Sequence, residues 1–290
     1  MAKRNGKTAL VTGSTDGVGR VVAKRLAQGG MRVLVHGRDR ARGRELVAEI
    51  KQAGGAAEFL AADLSALAEV RGLADAVRQT TDRLDLLINN AGIGSHGPRE
   101  TSADGYELRF AVNYLAGFLL TYLLLPVLKT SAPARIVNVS SLGQQAIDFA
   151  DVMLTRGYSG ARAYCQSKLA QIMFTIDLAE ELEGTAVTVN ALHPATYMNT
   201  TMVRWAGVTP MSSVEQGADA VLNLAASAEL EGRSGLYFNG QQEARADAQV
   251  YEAEARQRLK TISLELTGLS AAAAASAKNK QPGGSKRSRN

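Results

Sequence analysis

Tyr164 and Lys168 stand four residues apart at the start of an amphipathic stretch running from about Tyr158 to Leu182. On a helix that spacing puts both on one face, about a turn apart. An ammonium so close favours phenolate over phenol, drawing the tyrosine down from its ordinary value of about 10. A phenol tuned toward neutrality gives or takes a proton at physiological pH. The pair alone usually marks no more than a solvated helix face, so the elements that would position it decide its meaning.

Those elements alternate. Apolar runs predict strands over 7–12, 32–36, 58–61, 84–89, 135–140, 185–192 and 235–238. Between and after them, helical patterns occupy the residues following Gly19, then 40–53, 67–80, 102–128, the Tyr164 stretch, 214–227 and about 244–266. Strands alternating with helices of this length imply βαβ units and a parallel sheet, and unbroken apolar strands imply cover on both faces. The expected fold is α/β, a single doubly wound Rossmann-type domain over 1–270 with a parallel sheet of about seven strands.

Composition narrows the function. Of 33 basic residues, Lys278, Lys280, Lys286, Arg287 and Arg289 fall in 271–290, which holds no acid; the remaining 28 balance 28 acidic residues. The body is therefore neutral, and the basic Ala/Ser/Gly-rich end reads as a disordered tail rather than a nucleic-acid arm. Cys165 is the only cysteine, which excludes an internal disulfide and fits a reducing, cytoplasmic compartment. His36, His96 and His193 show no ligand spacing, so no metal is expected. The apolar run 114–128 is shorter than the roughly 20 residues of a membrane span and reads as a buried or interface helix, and no membrane partner is expected.

Ligands of such sheets bind beyond the carboxyl ends of the strands. The first predicted strand ends in Thr12-Gly13-x-x-x-Gly17-x-Gly19, with Ser14 and Val18 inside the turn. Gly13 permits a tight turn, Gly17 lets backbone approach a diphosphate, and Gly19 brings helix against sheet. The helix N-terminus supplies N–H groups to the anion. About 20 residues on, where a carboxylate would bind the ribose 2′-OH of NAD, stand Gly37 and Arg38, with Arg40 and Arg42 close by. A guanidinium suits a 2′-phosphate, so NADP is expected ahead of NAD, although Asp39 tempers the field.

The series Thr12-Gly13-x3-Gly17-x-Gly19, Asp63-Leu64, Asn89-Asn90-Ala91-Gly92, Asn113, Ser140-Ser141 and Tyr164-x3-Lys168 resembles the short-chain dehydrogenases/reductases in order and spacing, over about residues 5–240. AYCQSKLA (163–170) and VTVNALHP (187–194) resemble the retinol-dehydrogenase-like group within that family. The resemblance implies hydride transfer between NADP and a small-molecule carbonyl or alcohol. It gives Tyr164 the role of general acid and base, with Lys168 lowering its pKa and binding the nicotinamide ribose. Ser141, the second serine of its doublet, would hold the substrate oxygen, and Asn113 would hold a water joining Lys168 to solvent. Gly13, Ser14, Gly17, Val18 and Gly19 would cradle the diphosphate and Arg38 the 2′-phosphate; Asp63 and Leu64 would meet the adenine, and Asn90, Ala91 and Gly92 its ribose.

Three features depart from the family pattern. Ser141 and Tyr164 lie 23 positions apart, a long gap shared by the retinol-dehydrogenase-like group, so Phe149, Val152, Met153 and Leu154 are expected over the substrate. Pro194-Ala195 replaces Pro-Gly, leaving Thr200 and Thr201 both open as the threonine that follows. The membrane anchor common in the group's animal members is not seen, so retinoids are not implied. A cofactor-binding regulator without turnover is the alternative function. The helices containing Tyr114–Leu125 and Ala161–Leu182 suit a homo-oligomer face or internal packing.

Overall fold

Strand runs that are apolar without alternation should be buried on both sides, and β1 (Thr8–Val11) is buried at every position. The computed structural model describes residues 6–270, so the segment 271–290, read above as a tail, lies outside the described residues. β1 pairs in parallel with β2 (Arg32–Gly37) on one side and β4 (Leu86–Asn89) on the other, with β3 (Ala56–Ala61) beyond β2. β5 (Ala134–Val139), β6 (Val187–His193) and β7 (Tyr237–Asn239) extend the parallel sheet past β4. A short strand, β8 (Gln242–Glu243), closes it antiparallel, giving the order β3-β2-β1-β4-β5-β6-β7-β8. The order reverses between β1 and β4, which opens a crevice at their carboxyl ends.

Helices α1 (Gly17–Gln28), α2 (Arg40–Gln52) and α7 (Val214–Ala226) bury their apolar faces against one side of the sheet. On the other side lie α3 (Leu67–Thr80), α4 (Ala116–Thr130), α5 (Gly160–Glu181) and α8 (Ala253–Thr267). A short exposed helix, α6 (Thr201–Trp205), lies in the connection after β6 and was not foreseen.

Two sequence expectations change here. The helix expected from residue 102 begins at Phe110, because the Ser102 hydroxyl accepts from the Asp104 and Tyr106 amides and folds 102–106 into a turn. Its first six residues, Phe110–Leu115, form a π-helical turn before α4. The continuous helix Phe110–Thr130 is therefore 21 residues long with mean hydropathy 1.8, enough by length and composition to cross a membrane, where the apolar run alone looked too short. In the fold it is a core element: only Pro126 and Thr130 are exposed. Tyr114, Phe118 and Tyr122 pack with Phe174 of α5, and Phe110 with Tyr114, at centroid distances of 4.9–6.4 Å.

Part of the outer face of α5, considered above with the preceding helix as an oligomer face or internal packing, is covered by α8 of the same chain. Tyr114 Oη and Ser263 Oγ lie 2.7 Å apart, Arg256 spans Asp177 (2.7 Å) and Glu180 (2.8 Å), and Lys260 reaches Glu181 at 2.6 Å.

Candidate active site

The Ser159 hydroxyl caps α5 by accepting from the Arg162 amide (3.1 Å), which starts the helix at Gly160 and sets the phase of Tyr164 and Lys168. A β-carbon on Gly160 would fall 2.0 Å from the Ser95 carbonyl oxygen, so the glycine lets the helix start against the loop after β4. Lys168 is buried. Its Nζ donates to Val139 O (2.9 Å) and Gln171 Oε1 (3.0 Å) and sits 5.8 Å from the centre of the Tyr164 ring. Burial draws the Lys168 ammonium down to about 7.

Burial pushes the Tyr164 phenol up, and a hydrogen bond with Ser141 opposes that rise. This corrects the expectation that Lys168 depresses the phenol. The ammonium is turned toward Val139 and Gln171, so desolvation dominates at the tyrosine.

Ser141 follows β5. Its carbonyl accepts from Tyr237 Oη (2.9 Å) and Gln144 Nε2 (2.9 Å), and its hydroxyl accepts from the Gly143 amide (3.0 Å). Ser140, the other member of the doublet, donates its hydroxyl to the Lys168 carbonyl at 2.7 Å and so braces α5. The π-helical turn presents Asn113 to the loop after β4. Its Oδ1 accepts from the Ile93 amide (2.7 Å), and its Nδ2 donates to Ile93 O (3.2 Å) and Ser167 Oγ (2.9 Å). The Asn113 side chain is thus a clamp between that loop and α5. A β-carbon on Gly92 would lie 3.2 Å from Asn113 Oδ1 and 3.5 Å from Lys168 Nζ, so glycine keeps this gap clear.

The glycine turn fits a dinucleotide diphosphate. Gly13 and Gly17 have φ of +61° and +52°, in the left-handed region that favours glycine. On Gly19 a β-carbon would fall 2.5 Å from both Gly13 O and Asn90 Nδ2. Asp16 takes the Gly17 amide at 2.8 Å. Among the described hydrogen bonds the next two amides of α1, those of Val18 and Gly19, donate to nothing, the anion-binding arrangement of a helix start.

Ser14 does not join that cradle. It is fully buried, and its amide and hydroxyl both engage the His36 backbone. Asn90 braces the turn from the far side, donating Nδ2 to Thr12 O (2.8 Å) and Gly13 O (3.1 Å), while the Ala91 amide donates to Thr12 Oγ1 (3.0 Å).

At the end of β2, Arg38 is exposed and lies 3.5 Å from Asp63, which brings these two expected cofactor contacts together. Leu64 beside them is core. Arg42 is shared between Asp16 (3.6 Å) and Asp39 (3.5 Å), which weakens it as a phosphate ligand. Thr200 caps α6 and lays its methyl group where a β-carbon on Gly17 would be 3.3 Å away; the Thr201 hydroxyl accepts from Arg204.

The long loop before α5 is turned inward more than expected. Phe149, Val152 and Met153 pack against the helical core, and Leu154 is buried with φ +47°. Buried Arg109 holds the mouth together, donating to Gly94 O (2.9 Å), His96 O and Tyr158 Oη (2.5 Å), beside the equally buried Glu107.

Several supporting residues carry no sequence signal. His36 Nδ1 accepts from the Gly13 amide (3.1 Å), so the neutral ring carries its proton on Nε2; burial draws the ring to about 4. Burial and then the Lys168 charge draw His193 to about 4. Tyr237 and Gln171 act through Ser141 and Lys168 from positions with no motif spacing. Only the fold brings them in.

A sheet with a glycine turn at its reversal point, and a phenol, ammonium and hydroxyl gathered at the ends of neighbouring strands, defines the Rossmann-type oxidoreductases. The chain belongs to the short-chain dehydrogenases: the family model "short chain dehydrogenase" matches residues 7–208. It is similar to mouse (Mus musculus) retinol dehydrogenase 14, with 38% identity over 91% of this chain and 87% of the relative. Human (Homo sapiens) retinol dehydrogenase 13 is 39% identical over 92% and 86%. An uncharacterised protein from Mycobacterium paratuberculosis superposes with TM-score 0.79 at 29% identity, covering 92% of this chain and 96% of that one. The NADP active-site complex of Pseudomonas aeruginosa RhlG gives 0.68 at 28%, covering 82% and 95%. The protein is an NAD(P)-dependent oxidoreductase of this family.

Proposed function

We propose that the protein uses NADP to interconvert a carbonyl and an alcohol, with Tyr164, Lys168, Ser141 and Asn113 as its working residues. The observation that carries the reading is the meeting of Ser141 and Tyr164 about Gly143, where a β-carbon would lie 3.5 Å from both the Ser141 hydroxyl and the Tyr164 ring, with buried Lys168 behind and Gly92 holding the space beside it open. The nicotinamide, when bound, supplies or accepts the hydride.

Tyr164 Oη gives its proton to the substrate oxygen in reduction and takes it back in oxidation. Ser141 donates a hydrogen bond to that oxygen as charge develops on it. Lys168 keeps one N–H beyond those spent on Val139 and Gln171, which serves the cofactor ribose. The Val18 and Gly19 amides and the glycine turn hold the diphosphate, Arg38 the 2′-phosphate and Asp63 the adenine. Asn113 fixes the Ile93 loop on which this arrangement closes. The relatives' names support a moderately apolar alcohol or aldehyde as substrate. The free Cys165 thiol and the burial of the 110–130 helix support a cytoplasmic enzyme.

Tyr164→Phe should abolish turnover while NADPH binding, followed by fluorescence, stays close to wild type; surviving turnover would remove the proton-transfer role. NADPH should bind more tightly than NADH, and Arg38→Leu should erase the difference. Tighter NADH binding by the wild type would reverse the cofactor assignment.

A further inference from the structure

Lys168 carries three N–H bonds, and the fold aims two of them away from the cleft, at Val139 O and Gln171 Oε1. Gln171 lies one turn further along the same face of α5 and is 4% exposed. Its backbone is tied into the sheet. Thr175 Oγ1 donates to Gln171 O (2.8 Å), Asn138 Nδ2 donates to Thr175 Oγ1 (2.9 Å), and Asn89 Nδ2 donates to Asn138 Oδ1 (2.8 Å). This buried polar chain fixes the turn that bears the amide.

Among the described residues no carboxylate pairs with Lys168. The titratable groups facing it are the Tyr164 phenol on its own helix and His193 at the end of β6; β5 offers only the Val139 carbonyl, and the loop after β4 only Gly92 and the Asn113 amide. A buried ammonium with no counter-ion depends on the dipoles that accept from it.

We propose that Gln171 is a positioning residue for Lys168, its side-chain carbonyl holding the ammonium protonated and directing the remaining N–H toward the cleft. The inference rests on the role given to Lys168 above. The lowered Lys168 value supports it, since the group sits where one acceptor more or less changes its charge at neutral pH.

The test follows Lys168 itself, by NMR titration of its labelled ε-carbon in the full-length protein, with the pH profile of alcohol oxidation beside it. Gln171→Met keeps the size and removes the acceptor. The Lys168 midpoint should fall by about one pH unit, roughly a tenfold change in protonation. The inflection of the kcat profile that follows the Lys168 charge should move to lower pH by the same amount. Gln171→Glu should move the midpoint upward. Equal midpoints in all three proteins would overturn the proposal, and if Gln171→Met does not fold, the direction of the glutamate shift decides. Turnover by Tyr164→Phe would instead sink the mechanism while leaving a shifted Lys168 midpoint standing.

Discussion

Replacing His36 by asparagine separates the support of the glycine turn from its sensitivity to acid. The His36 ring is drawn from its ordinary 6.5 to about 4 by burial, with the Ala62 backbone and the Asp63 charge opposing only in part. A group whose folded pKa is depressed in this direction is neutral in the native state while the unfolded chain binds a proton, so stability falls as pH drops from 6.5 toward 4. For these two values the loss comes to about 2 kcal/mol at pH 5 and about 3 kcal/mol once pH is well below 4. His193, drawn down to about 4 as well, adds a loss of the same sign.

The asparagine Oδ1 can take the place of Nδ1 as acceptor for the Gly13 amide, and asparagine does not titrate. Urea unfolding of the nucleotide-free protein at pH 7 and pH 5 should therefore show His36→Asn losing about 2 kcal/mol less than wild type across that interval. NADPH affinity, which depends on the Gly13 turn, should weaken on acidification in wild type and much less in the variant. An identical stability loss in the two proteins would refute both the buried neutral ring and its support of the turn.

Gly19→Ala should weaken NADPH binding at least a hundredfold by equilibrium fluorescence, since its β-carbon falls 2.5 Å from backbone oxygen and the Asn90 amide. Arg109→Met leaves the 1% exposed Glu107 without its guanidinium and frees two loop carbonyls. It should cost about 3–5 kcal/mol in denaturant unfolding and raise KM for substrate through the loosened Tyr158 segment. Arg256→Leu breaks the tie from α8 to Asp177 and Glu180; it should lower stability by about 1–3 kcal/mol with kcat unchanged, as far as the outer face of α5 is independent of the cleft. Light scattering of wild type should show no association through that face, so cysteines placed on α5 opposite α8 should not cross-link between chains.

The fold was legible because its signals are local. Unbroken apolar strands, the glycine turn and the Leu67–Thr80 periodicity each reflect burial that a short window reports. The polar site was legible only as residue types. Tyr164, Lys168, Ser141 and Asn113 are recognisable from their motifs, yet the direction of Lys168 depends on Val139 and Gln171, and that of Asn113 on the backbone of Ile93. These partners are ordinary residues whose role arises from the crossing of α5 over β5. Ser14 shows the reverse case: its place in the motif suggests a phosphate ligand, but the adjacent strand claims both its donors. The long loop misled because apolar residues read alike whether they face a substrate or a core, and α6 was missed because none of its residues is buried.

The π-helical turn at Phe110–Leu115 sets regularity against function. It accommodates residues that a uniform α-helix would place differently, and each residue of an α-helix advances the phase by about 100°. Deleting Ala111 would let the turn relax into a straighter and locally more regular helix. Because the turn absorbs one residue, the same deletion would leave buried Glu107 and Arg109 in phase with α4 and move the residues inside the turn, Asn113 among them, whose grip on Ile93 depends on its place there. The irregularity is a phase-setting device, and a change that improved the helix in isolation would uncouple the cofactor loop from the catalytic helix.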